Sequence, residues 1–225
     1  MRIVVSTCNK SAYLMPTFWK CFDRAWPECP YDMYVLYNWR LLPRTWWENM
    51  PVDYTEDMGW SNNLLRWLQN EHDTGGKSPD PSIGESFLLL LDDYFLVDID
   101  EALIKKAHVG FKIWGAGCMR LLPCPGPERA INADMGYLNP ISMYSVSFQA
   151  SIWQPDALLS VLAPDETPWQ AEIEGSKRRL EALWPFYGTT RNAMSYQNYL
   201  RRGNPQAAVK EWLIGRGIDP PSLAG

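Results

Sequence analysis

Two adjacent carboxylates, Asp92 and Asp93, close the apolar run Phe87 to Leu91 in the stretch SFLLLLDDYFLVD. Like charges this close repel, so the pair calls for a cation beside it, most simply a divalent metal. A Mg²⁺ or Mn²⁺ ion there would bridge to a diphosphate and neutralise charge building on a leaving group. The competing reading is an acidic strand end followed by a turn, solvated and inert.

Such a pair acts only where a fold delivers it. The segment 2–8, RIVVSTC, is β-branched and short and predicts a buried strand. Residues 11–26 carry apolar positions at helical spacing, with Pro16 tolerated in the first turn. A second strand is expected over 31–38. The segment 57–70 is expected to turn helical after Ser61 as N-cap, and 72–82 to form a loop. Phe87 to Leu91 then predicts a strand buried on both faces, followed by a helix over 98–109 with Asp98 or Asp100 near its start. Strands alternating with helices predict a mostly parallel α/β sheet, whose ligands sit beyond the carboxyl ends of the strands. The second half offers strands at 117–123 and 143–153, and helices near 155–163, 168–183 and 204–217. One domain over 1–225 is expected, its 1–110 half of nucleotide-binding type and its 111–225 half mixed, sharing one sheet.

Composition narrows the function classes. The chain has 225 residues, is 46% hydrophobic and carries a formal charge of −5, with a pI near 5.1. That balance argues against gripping nucleic-acid phosphates as the main activity. No apolar run approaches the roughly 20 residues of a membrane span, and the run in MRIVVSTCNKS is too short for a signal peptide, so a cytoplasmic protein is expected. Five cysteines without a C-x-x-C pair and two histidines, His72 and His108, fit neither a structural zinc site nor a disulfide scaffold. The GGKS at 75–78 lacks the leading glycine of a phosphate loop, and Pro79 blocks the helix that should follow. GAGCMR at 115–120 lacks the third glycine of a dinucleotide fingerprint, and no G-x-S-x-G elbow occurs.

Taken in order, RIVVSTCNK, YDMYVLYN, DMGWSNNLLRWL, FLLLLDDYF, YSVSFQASIWQPDALLSVL and TPWQAEIEGSKR resemble the segments of GT-A-fold glycosyltransferases, especially small bacterial and phage-type members. The resemblance spans most of the chain, and its specificity lies in the ordered set rather than in any one motif. It implies an α/β, GT-A-like (Rossmann-like) fold: a mostly parallel central sheet flanked by helices, with a mixed acceptor-side half. It also implies transfer of a hexosyl or pentosyl unit from a nucleotide-diphosphate sugar to a hydroxyl; a single carboxylate base would suit inversion, with retention left open. The acceptor would be a carbohydrate or, in a phage-type variant, a hydroxylated DNA base. FLLLLDDYF stands where the family has its DXD-like motif. The second acid of that motif falls on Tyr94, and no histidine follows His108 to serve as a late metal ligand. Mn²⁺ or Mg²⁺ use is therefore implied through Asp93 as metal ligand, or else is weak or absent.

Such a transfer needs a donor cradle, leaving-group stabilisation and a base for the acceptor hydroxyl. Thr7, Asn9 and Asn38, at the ends of the first two strands, are candidates for the cradle; local turn bonding is the alternative. Trp60 is a candidate to stack on base or sugar and Asn63 to bond the donor, against core packing and helix capping by Ser61. Asp92 would assist Asp93 at the diphosphate. Glu172 is the favoured base by resemblance, against an ordinary surface glutamate; Glu174, two residues on, points elsewhere. Gln149 and Trp153 would line the acceptor cleft, against sheet packing. Lys177, Arg178 and Arg179 would either touch diphosphate oxygens or form a solvated helix face. Two other function classes remain open: a non-catalytic nucleotide- or carbohydrate-binding protein of the same fold, and a nucleotidyltransferase.

Overall fold

The apolar runs at 2–6 and 87–91 become neighbouring strands at the centre of one sheet. A computed structural model describes residues 1–38, 40–47, 59–73 and 86–222. In chain order the elements are β1 (Arg2–Ser6), α1 (Met15–Ala25), β2 (Met33–Tyr37), β3 (Arg40–Pro43), α2 (Arg44–Trp47), α3 (Trp60–Asp73), β4 (Phe87–Leu91) and β5 (Tyr94–Ile99). They continue with α4 (Glu101–Ile113), β6 (Cys118–Arg120), β7 (Arg129–Ala130), β8 (Met135–Tyr137), β9 (Ser151–Trp153), α5 (Pro155–Val161) and α6 (Pro168–Arg178). The last are β10 (Phe186–Thr189), β11 (Met194–Asn198), β12 (Leu200–Arg201), β13 (Asn204–Pro205) and α7 (Ala207–Ile214).

The main sheet runs β3-β2-β1-β4-β9-β6-β10-β8-β7. Strands β2, β1, β4, β6 and β10 point the same way, whereas β9 is inserted against both β4 and β6. The architecture is the expected one: α/β, with a mostly parallel centre flanked by helices and a mixed second half. Every residue of β1 and β4 is buried, which explains why neither strand alternates with polar residues. Ile3, Val5, Leu88 and Leu90 face a core completed by α1, α4 and α7. Val4, Phe87, Leu89 and Leu91 face the opposite core, completed by α3, α5 and α6.

Several local expectations change. Ser61 does not cap α3, which begins one residue earlier; its hydroxyl instead accepts from Glu166 N at 2.9 Å and ties α3 to the approach to α6. The loop expected over 72–82 lies mostly outside the described residues. Asp100, rather than Asp98, caps α4, accepting from Leu103 N at 2.9 Å.

The strand expected over 143–153 shrinks to Ser151–Trp153, because side chains capture the backbone that a ladder would use. The Tyr144 and Ser145 carbonyls accept from Arg120, Val146 N donates to Ser176 Oγ, and Phe148 N donates to Glu172. Tyr144 also adopts a left-handed φ of 59°, which interrupts extended structure. Cys118 and Cys21 are buried thiols, and among the described residues all five cysteines are free. No described helix is long and apolar enough to cross a membrane.

Candidate functional site

The register of the central strands sets the site. Ser6 lies opposite both Leu91 and Leu36, so Thr7, Asp92 and Asn38 leave the sheet at the same carboxyl edge. Thr7 N donates to Leu36 O at 3.1 Å, and Thr7 Oγ1 donates to Asp92 Oδ2 at 2.5 Å. Asn38 follows β2 with a φ of 45°, a left-handed turn that asparagine tolerates, and among the described residues its buried Oδ1 has no hydrogen-bond partner. Asn9 is buried in the loop after β1. Ser11, which sequence reasoning missed, also bonds the Asp92 carboxylate and accepts from Cys8 N at 3.3 Å.

The two aspartates occupy different depths. Asp92 is buried and held by the Thr7 and Ser11 hydroxyls. Asp93 is half-buried, and its backbone carbonyl accepts from Tyr199 N at 2.8 Å, which fixes the turn leading into β5. Burial pushes the Asp92 carboxyl up to about 7, against the opposing pull of its hydroxyl donors. Burial and the neighbouring Asp92 push Asp93 up to about 8. Among the described residues neither aspartate has an ion-pair partner. An unneutralised acidic pair at a sheet edge is an arrangement that a cationic ligand or metal would stabilise.

Glu172 comes from the other half of the chain. Thr167 caps α6 in a reciprocal capping box with Gln170, and Pro168 opens the helix. One turn in, Glu172 Oε1 accepts from Ser147 Oγ at 2.8 Å and from Phe148 N at 2.9 Å. Both donors meet the same oxygen, and among the described residues none meets Oε2.

The rings of Tyr94 and Tyr196 stack at 4.3 Å with an interplanar angle of 4°. Burial, mainly, and then the charges of Asp93 and Glu172 among others raise both phenols. The charges of Asp93 and Glu172 thus both reach the stacked pair. Tyr196 comes from β11, which pairs with β5; no sequence signal linked it to Asp93, because it lies about a hundred residues away.

The remaining candidates separate. Gln149 is half-buried two residues beyond Ser147, and among the described residues its buried Oε1 has no hydrogen-bond partner. Trp153 does not line a cleft: it is fully buried, 6.0 Å from Phe148 and 5.4 Å from Phe186 between ring centroids. β9 pairs on both edges, and Trp153 stands opposite both Phe87 and Cys118, which places its ring in the core. Trp60 is likewise a core residue, 8% exposed and edge-on to Phe148 at 4.7 Å, so it offers no face to a base or sugar. Asn63 is fully buried within α3.

Lys177, Arg178 and Arg179 serve structure. Lys177 pairs with Glu174 at 2.7 Å, and Arg178 with Glu166 at 2.6 Å while it also bonds Val161 O. Arg179 is buried and donates to the Leu138 and Ser145 carbonyls at 2.6 and 3.1 Å.

No family model and no curated protein matches the chain. Among solved structures it is similar to residues 1–349 of TarS from S. aureus, at 14% identity and a TM-score of 0.45. The match covers 87% of this chain and 60% of the TarS chain, so the protein spans less than two thirds of that relative's length.

Proposed function

We propose that the protein is a glycosyltransferase that moves a sugar from a nucleotide-diphosphate donor to a hydroxyl acceptor. The observation that supports this reading is the Asp92–Asp93 pair at the carboxyl edge of the parallel strands, with Glu172 in the other half of the chain tethered through one carboxylate oxygen. Leaving-group stabilisation needs positive charge, which an acidic pair would hold as a cation, and proton removal needs a carboxylate with a free oxygen.

Asp93, half-buried and without an ion-pair partner among the described residues, faces the donor diphosphate; Asp92 stands behind it, anchored by Thr7 and Ser11. Thr7, Asn9 and Asn38 shape the nucleotide side of the edge. Glu172 keeps one carboxylate oxygen fixed and presents the other, which suits a general base acting on the acceptor hydroxyl. Gln149, whose buried amide oxygen has no hydrogen-bond partner among the described residues, is the acceptor-side polar group. A single base of this kind fits inversion at the sugar carbon.

No group of three His, Cys, Asp or Glu among the described residues forms a metal cage. A divalent ion that shares substrate phosphates needs only one or two carboxylates from the protein, and Asp93 with Asp92 meets that requirement. Mn²⁺ or Mg²⁺ held there would neutralise the leaving diphosphate. The acceptor is a carbohydrate in this reading; the net charge of −5 disfavours a DNA base.

Titration calorimetry with a panel of nucleotide sugars, with and without Mn²⁺, tests the donor. Transfer to a mixed saccharide panel then tests turnover. Glu172→Gln is expected to retain donor binding and lose turnover by roughly 10²-fold or more. Absence of donor binding under every condition overturns the proposal; donor binding without turnover in the wild-type protein makes it a binding module.

A further inference from the structure

The second half of α1, β5, α7 and the turn after α7 border a cavity of about 260 Å³ open to the surface, lined by Cys21, Leu96, Trp212, Ile218 and the exposed Arg24 and Arg216 among others. Val97, also on its wall, is four residues beyond Asp93, about 13 Å along an extended strand. The cavity is therefore separate from the carboxylate site.

Its chemistry is unusual for a chain of net negative charge. Two guanidinium groups line it and no carboxylate does. Among the described residues neither Arg24 nor Arg216 has an ion-pair partner. The pair is also preorganised. Arg24 Nη1 donates to the Arg216 carbonyl at 2.8 Å, and the Arg216 guanidinium lies 4.2 Å over the Trp212 ring. Both charges reach the buried Cys21 thiol, where they oppose the effect of burial. Two unpaired guanidiniums beside an indole and the apolar Leu96 and Ile218 match an oxyanion carried on a small ring. The volume falls just below the roughly 300–1,000 Å³ of sites for drug-sized ligands, which sets the ring at about monosaccharide size.

We propose that this cavity is a second ligand site, taking a monosaccharide-sized compound that bears a phosphate or carboxylate, with Arg24 and Arg216 binding the anion. The site does not depend on the glycosyltransferase reading. The test uses the whole protein labelled with 5-fluorotryptophan, with the Trp212 ¹⁹F signal assigned by Trp212→Phe. Glucose 6-phosphate and glucuronate are titrated in, with neutral glucose as control.

At least one of the two anions is expected to shift the Trp212 signal saturably, the responding compound identifying the anion, while glucose leaves it in place. Arg24→Gln, which keeps the Arg216–Trp212 contact, and Arg216→Gln are each expected to weaken that response at least tenfold. The other tryptophan signals of the unliganded variants report that they remain folded. No saturable shift with either anion, an equal shift with glucose, or undiminished binding in both arginine variants overturns the proposal.

Discussion

Replacing Asp93 by asparagine should stabilise the ligand-free protein at alkaline pH. Its carboxyl is raised from 3.8 to about 8 by burial and by Asp92. A raised folded-state value means that the stability associated with the protonated form is complete below about 4 and is lost as pH rises towards 8. At about 1.4 kcal/mol per unit, the interval from pH 5 to pH 8 sets a ceiling of about 4 kcal/mol. Asp93 is half-buried and water screens part of its charge, so a loss of about 1–3 kcal/mol is the working expectation. Asparagine has no charge to desolvate and removes the repulsion on Asp92. Urea unfolding at pH 5 and pH 8.5 checks this: the wild-type midpoint should fall with pH, and the variant's should fall less and lie higher at pH 8.5. Mn²⁺ with a nucleoside diphosphate should stabilise the wild type at pH 8.5 and the variant much less. A variant less stable than wild type at pH 8.5, or one with an unchanged pH slope, would refute the electrostatic reasoning.

Arg179→Met removes the donor to the Leu138 and Ser145 carbonyls and should cost about 1–3 kcal/mol in denaturant unfolding. Trp153→Ala should cost about 3–5 kcal/mol, as a cavity in the core, and leave donor affinity of the folded protein unchanged by calorimetry. Gly117→Ala should lower stability by about 1–3 kcal/mol, measured in the same way, because its Cβ would come within 2.5 Å of Trp184 Cβ and 2.7 Å of Ala157 Cβ.

The parts of the fold that were legible in the sequence are those where local pattern and tertiary environment agree. Phe87–Leu91 forms a strand at its expected bounds because its two buried faces demand a continuous apolar run. The Asp92–Asp93 turn follows from where that strand ends. Tryptophans were harder to place, since an indole suits a core and a binding surface equally on composition alone. Trp153 and Trp60 are buried in one core, between the sheet and α3, α5 and α6. The strand expected over 143–153 failed for a different reason: the partners that take its backbone groups, Arg120, Glu172 and Ser176, lie 20 or more residues away in sequence. No local window contains them. The Tyr94–Tyr196 pair escaped notice for the same reason.

The loop that failed as a strand explains how Glu172 is held in place. Arg120 and Arg179 are both nearly fully buried, and together they donate to the carbonyls of Pro125, Leu138, Tyr144 and Ser145. Buried guanidiniums are costly to desolvate, and here carbonyl acceptors, with the Phe186 ring 4.2 Å from the Arg179 guanidinium, offset that cost. In return the segment before β9 is fixed without ladder pairing, and its Phe148 N and Ser147 Oγ remain available to Glu172. A regular strand would have committed that N–H to a neighbour and left the carboxylate without its backbone donor. The irregular segment is thus the structural condition for a glutamate with one oxygen tethered and the other presented, and an edit that restores strand pairing over 145–150 should cost turnover even where it raises stability.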